Sequence, residues 1–258
     1  MANLQLKEHI NEALKKGYRL DGRKKEEFRP ITIKTSFIST AEGSAWVQCG
    51  ETELLAGIKL SLEKPFPDTP DEGILMVGAE LLPLANPAFE SGPPGTESIE
   101  TARVIDRGVR ESKAIDTQAL CITKGEKVWT INVDLCPLNH DGNLIDIGGL
   151  ATLAAMKDTK FPTVKDGVVD YKTHENKGLP IRELPLPVTV VKIGENLLID
   201  PTEDEESVLD ARLTMAFLES GDVCAMQKGG DSAITFSEIE QMLELAGRVS
   251  QDLRQYLR

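Results

Sequence analysis

Apolar and polar positions alternate along most of the chain with two periods, and the places where the period changes mark its elements. In "FSEIEQMLELAGRVSQDLRQYL", Ile239, Met242, Ala246, Val249 and Leu253 recur at helical spacing, and Ser237 with Glu240 matches a capping box. "SIETARVIDRGVRESKAI" carries a second helical pattern, and "LKEHINEALKKG" predicts a short helix closed by Gly17. "IDIGGLATLAAM" is too rich in small residues for an exposed surface and predicts a packed helix. Elsewhere β-rich runs are broken by turn residues, which is the signature of hairpins. The breaks fall at Gly50, at Lys124-Gly125-Glu126, at Gly194 and at Ser220-Gly221-Asp222.

Hairpins followed by a helix occur once before residue 160 and again after 186. The intervening "KDTKFPTVKDGVVDYKTHENKGLPIRELP" is polar and reads as an irregular connector. This order predicts an α+β fold of two βα lobes sharing one core. The expected division is an N-terminal helix and arm over 1–28, a first lobe over 29–160, a connector over 161–186 and a second lobe over 187–258.

Composition narrows the function. The chain has 258 residues, 40% hydrophobic and 28% charged, enough for a sizeable core in a soluble globular protein. No apolar run approaches the ~20 residues that span a bilayer, and the N-terminus has no signal-peptide core, so the cytoplasm is expected and no membrane partner. A net charge of −13 argues against a free-standing nucleic-acid binder. It leaves room for local basic stripes and for a more basic partner. Cys49, Cys121, Cys136 and Cys224 are widely spaced among apolar residues and read as small buried hydrophobes. His9, His140 and His174 are dispersed, so neither a metal nor a cofactor is expected.

Phosphate loops, HExxH and a serine nucleophile elbow are absent. The densest acid run is "IDPTEDEESVLDARLTM", with Asp200, Glu203, Asp204, Glu205, Glu206 and Asp210. It fails as a calcium loop, because Glu205 stands at the position that needs glycine and Ala211 at the position that needs glutamate. A metal-binding or acidic scaffold remains one reading of it, and a mostly solvated turn leading into a strand is the other. On the second helix, at 100° per residue, Arg103, Arg107 and Arg110 fall within about 60° of one another, opposite Val104, Ile105 and Val109. Three guanidiniums on one face can grip successive phosphates. They can equally be a solvated face with Arg103 paired to Asp106 and Arg107 to Glu111.

"RLDGRKKEEFRPI", "GSAWVQCGETELLAGIKL", "PDTPDEGILMVGAELLPLANPAFESGPP" and "SIETARVIDRGVRESKAID" together resemble the RNase PH family. Within it they resemble the non-catalytic RNase PH-like subunits of the archaeal exosome core. The resemblance continues through "VWTINVDLCPLNHDGNLIDIGGLATLAAM" and "LLIDPTEDEESVLDARLTM" to the C-terminal helix. It implies the RNase PH-like fold, of the type also seen in ribosomal protein S5 domain 2. Active members degrade RNA from the 3′ end by phosphorolysis, with a Gly-Ser/Thr-Arg triplet holding phosphate before the small-residue helix. Here Asn143, Leu144 and Ile145 occupy that place. Active members also carry two aspartates six positions apart, which align with Glu206 and Arg212. Arginine, with a pKa above ~12, can neither shuttle a proton nor bind magnesium.

The resemblance therefore implies a subunit without phosphorolytic activity of its own. Its partners would be a catalytic RNase PH-like subunit, in three heterodimers closing a hexameric ring, then RNA-binding cap subunits and single-stranded RNA. Arg103 and Arg107 match arginines lining the RNA path, with Arg110 following on the same face. An active phosphorolytic exoribonuclease and the equivalent subunit of a eukaryotic exosome are the alternatives.

Overall fold

The computed structural model describes residues 2–165 and 168–258. Helix α1 (Ala2–Lys15) precedes strands β1 (Ile31–Thr35), β2 (Gly43–Cys49), β3 (Thr52–Glu63) and β4 (Ile74–Ala79). Then come α2 (Thr96–Glu111), β5 (Cys121–Thr123), β6 (Lys127–Asn139) and α3 (Leu144–Asp158). Strands β7 (Lys160–Lys165), β8 (Val168–Gly178), β9 (Leu186–Ile193) and β10 (Asn196–Ile199) follow. The chain closes with α4 (Glu203–Glu206), β11 (Ala211–Phe217), β12 (Val223–Gly229) and α5 (Phe236–Leu253). Each hairpin expected from the turn residues forms: β2–β3, β5–β6, β9–β10 and β11–β12.

The first sheet runs β1-β2-β3-β6-β4 with β5 beside β6, and the second runs β10-β9-β11-β12. Among the described residues, only β4 and β6 pair in parallel. That is possible because the segment between them carries α2, long enough to cross back over the sheet. The alternation in β3 buries Leu54, Ala56, Ile58 and Leu60 on one face. Across from them α3 is buried along residues Leu144 to Met156, all round its circumference. Helices α2 and α3 thus lie between the two sheets. Gly149 is what lets α3 approach β9, since a Cβ there would sit 2.2 Å from Pro187 Cγ. On the far side of the second sheet, α5 covers the face carrying Phe217, which lies beside Gly247. One hydrophobic core links both lobes, from Val47 and Ile58 through Leu150 to Val188 and Met242. A smaller one, with Ile10, Leu14, Val191 and Ile193, seats α1 on the second sheet.

Three expectations need correcting. The segment 161–186 is not irregular, because β7 and β8 form an antiparallel hairpin, with Val164 opposite Val169. Its residues are mostly exposed, so no core face imposes an apolar alternation that could announce it. The capping box of α5 lies two residues earlier, where Thr235 accepts from the Glu238 amide and Glu238 accepts from the Thr235 amide. Lys192 pairs with the Glu238 carboxylate and helps select this start over Ser237. Of the cysteines, only Cys49 is fully buried. No helix among the described residues is long and apolar enough to cross a membrane.

The acid run behaves differently from a solvated turn. Asp200 is fully buried and takes Arg29 in a two-pronged pair, with Nε–Oδ2 at 2.8 Å and Nη2–Oδ1 at 2.7 Å. The Arg29 amide adds a third bond at 2.8 Å, Arg23 Nη1 a fourth at 2.7 Å and Asn143 Nδ2 a fifth at 2.8 Å. Buried Arg19 holds Glu205 at 2.9 and 2.5 Å and also donates to the Ile199 and Asp200 carbonyls. Asp210 pairs with Lys7 at 2.5 Å. Burial alone would raise the Asp200 carboxyl, but the Arg29 guanidinium holds it below the usual carboxylate range. Removing one partner of such a buried set strands the others. Asp200→Asn should therefore cost about 3–5 kcal/mol at neutral pH, measured by urea unfolding. A loss under about 1 kcal/mol would show that water satisfies the arginines instead.

Candidate functional site

Helix α2 carries two faces of different chemistry. Its buried side, with Ala102, Ile105, Gly108 and Val109, packs between the sheets. Arg103, Arg107 and Arg110 stand exposed on the opposite side, as the spacing predicts. They line a groove of about 700 Å³ that Glu100, Asp106, Glu111 and Gln227 of β12 share, and half-buried Val104, expected on the core side, lines it too. The ion pairs expected for a merely solvated face do not form. Asp106 is taken by Arg110 at 2.7 and 3.0 Å, and Arg110 also donates to the Leu75 carbonyl at 2.9 Å. Neither Arg103 nor Arg107 has a hydrogen-bond or ion-pair partner among the described residues. Two of the three guanidiniums are therefore free to meet an anion, and the third is already compensated.

The first turns of α2 face a separate cavity of about 350 Å³. It brings together four of the residues singled out in the sequence: Leu144, Ile145, Glu206 and Arg212. Leu144 and Ile145 begin α3 and close the floor with aliphatic carbon. Asn143 does not line the cavity. It caps α3 in a left-handed conformation, φ 61°, with its amide donating to Glu206 Oε1 at 3.0 Å and its side chain committed to Asp200. Before it, Gly142 lies so close to the 201–203 backbone that a Cβ would fall 2.4 Å from the Pro201 carbonyl oxygen. That contact fixes the α3 start against α4.

The cavity's charges are the part that local patterns could not announce. Glu97 and Glu100 enter from α2, and Glu203 and Glu206 from α4. Against these four acids stands one arginine, and Arg212 Nη2 is bound to Glu100 Oε1 at 2.5 Å. Burial keeps His140 below its ordinary value, so it is neutral at pH 7, and its ring rests on Phe89. Burial pushes Glu206 up to about 7, so its charge is only partly expressed at neutral pH. Even so, the cavity presents acid and hydrocarbon where an incoming phosphate would need donors. Among the described residues no group of three or more His, Cys, Asp or Glu side chains is placed to hold a metal ion. Within the 200–210 acid run, Asp200, Glu205 and Asp210 are spent on arginine and lysine. The acid run is a framework for the N-terminal arm.

Comparison with known proteins matches this geometry to a family. Residues 27–162 match the 3′ exoribonuclease family, domain 1, and residues 183–249 its domain 2. The Exosome complex component Rrp42 of Thermococcus gammatolerans is 45% identical over 98% of this chain and 93% of its own. That of Methanopyrus kandleri is 44% identical over 97% and 95%. Among solved structures, a chain of the Archaeoglobus fulgidus exosome with RNA bound to the active site superposes with a TM-score of 0.93. It is 40% identical, and the match covers 100% of this chain and 99% of that one. A chain of an archaeal exosome core gives 0.88 at 37% identity, over 99% and 97%. Rice Rrp46, at 17% identity and a TM-score of 0.68 over 93% and 98%, shares the fold alone. With both domain profiles in order and full-length relatives of this kind, the chain belongs to the RNase PH 3′ exoribonuclease family and is similar throughout to exosome components.

Proposed function

We propose that this chain is a non-catalytic RNase PH-type subunit of an archaeal exosome core, working in the cytoplasm on single-stranded RNA. It pairs with a catalytic RNase PH-type subunit, and three such pairs close a ring that carries RNA-binding caps. Its work is to shape the partner's active site and to hold the RNA backbone with Arg103 and Arg107, while Arg110 contributes less because Asp106 already occupies it. The observation that carries this reading is the cavity at α3. Four glutamates line it, Leu144 and Ile145 replace phosphate donors, and its one arginine is bound to Glu100. A phosphate entering there meets like charge and no free hydrogen-bond fork. The archaeal relatives named above support the archaeal assignment over a eukaryotic one.

Phosphate-dependent release of nucleoside diphosphates from poly(A) by the purified chain alone should be absent, and Arg212→Asp should not create it. Robust turnover by either protein would establish the active-enzyme reading instead. In the reconstituted complex, Arg103→Ala with Arg107→Ala should weaken RNA binding roughly tenfold or more. It should also flatten the salt dependence by about 0.7 log units per arginine lost. An unchanged slope would reduce these arginines to a solvated face.

The raised Glu206 gives a third expectation. Its folded value of about 7 exceeds that of an unfolded glutamate, so the folded state holds the extra proton. The stability this lends is complete below about pH 4 and is lost as the pH rises through 7. Glu206→Gln, which keeps an acceptor for the Asn143 amide, should reduce the fall in unfolding free energy between pH 5.5 and 8 by about 1–3 kcal/mol. Identical pH profiles for both proteins would place the Glu206 carboxyl in water.

A further inference from the structure

Arg103 is free although a carboxylate stands beside it. Glu100 precedes it by three residues on α2, in the order that favours a pair within a helix, and borders the same groove. Yet Glu100 Oε1 takes Arg212 Nη2 at 2.5 Å, and Arg103 has no hydrogen-bond or ion-pair partner among the described residues. Glu111, four residues after Arg107, stands in the less favourable order and captures neither arginine. The carboxylate best placed to occupy Arg103 is therefore held by a residue from another element.

Arg212 reaches Glu100 by a path cleared for it. It lies on β11, and its register partner on β12 is Gly229. Gly229 does not adopt a positive φ, so backbone conformation does not demand glycine there. Space does: a Cβ would fall 2.8 Å from Arg212 Nε, 2.9 Å from Cζ and 3.1 Å from Cγ. Glycine inside a strand often marks a close approach, and here the Arg212 side chain makes it.

The pair sits where the cavity and the groove meet, since Glu100 borders both and Arg212 the cavity alone. Acids and arginines lining the groove are equal in number, with Glu100, Asp106 and Glu111 against Arg103, Arg107 and Arg110. On its own side chains the groove is neutral toward a phosphate. Arg212, from outside that lining, cancels Glu100 and tips the groove positive.

We propose that Arg212 is a positioning residue for RNA, which draws Glu100 away from Arg103 and so keeps that guanidinium available to a backbone phosphate. The inference rests on the RNA role proposed above for Arg103 and Arg107. It gives Arg212 a task although it cannot act as an acid, a base or a metal ligand.

The test is binding of a single-stranded oligo(A) RNA by the reconstituted complex over a salt series, with Tm measured for each variant. Arg212→Met keeps the aliphatic stem over Gly229 and removes the charge. It should weaken binding roughly three- to tenfold and flatten the salt dependence by about 0.7 log units, as the loss of one arginine does. Gly229→Ala keeps Arg212 in the chain but displaces its guanidinium, and should act in the same direction. Glu100→Gln should restore binding to either variant and should not weaken it alone. A pair that only braced the fold would make Glu100→Gln as harmful as Arg212→Met, which overturns the proposal. Weakening that Glu100→Gln fails to rescue would make Arg212 itself an RNA contact, and overturns it too. So does full affinity in Arg212→Met or Gly229→Ala while the Arg103→Ala, Arg107→Ala double variant binds weakly. If that double variant binds as the wild type does, the RNA role of the groove fails and this inference falls with it.

Discussion

Asp200 holds the fold together at the one place where three separate parts of the chain meet. Its carboxylate is shared by Arg29 and Arg23 of the N-terminal arm and by Asn143 at the start of α3. Arg19 ties the same arm to Glu205 and to the carbonyls of residues 199 and 200. A buried carboxylate surrounded by guanidiniums has high geometric demands, because each unmet bond costs the full desolvation of a charge. The arrangement therefore admits one register between the arm, the 141–143 loop and the second sheet. Everything that shapes the α3 cavity follows from that register.

The cavity and the arginine groove share α2, and the helix separates them by position along its length and around its axis. Glu97 on its first turn faces the cavity, Glu100 borders both, and Arg103 and Arg107 further along face the groove. The two free guanidiniums bear on how a net charge of −13 fits the proposed role on RNA. Potential at a phosphate is set by the nearest unscreened charges, about 8–10 Å away at most in physiological salt, and not by the molecular total.

Asn143, which the resemblance places in the phosphate triplet, has a structural task here. Its backbone sits in the left-handed region, tolerated there because an asparagine side chain can bond locally. Its amide and side chain lock α4 and Asp200 to the head of α3. Leu144 and Ile145 then fill the space with carbon. The result is a well-formed cavity whose arginine is already taken, in the Arg212–Glu100 pair.

Much of this was legible from the residues alone. The hairpins at Gly50, Lys124-Gly125-Glu126, Gly194 and Ser220-Gly221-Asp222, the small-residue helix and the arginine stripe all follow from local periods and turn chemistry, which act over a few residues. Of two local signals, Thr235 and Ser237, the structure uses Thr235, whose partner Glu238 also pairs with distant Lys192. The exposed β7–β8 hairpin had no core-facing pattern to betray it. The acid run was misjudged as solvated because its cations lie about 170 to 186 residues earlier, as for Arg29 and Arg19. Arg212 and Glu100 are likewise far apart in sequence and joined only by the packing of α2 against β11. Local sequence determined which elements form and which faces they present. Tertiary structure alone decided which charges meet, because electrostatic pairing depends on distance in space and carries no period along the chain.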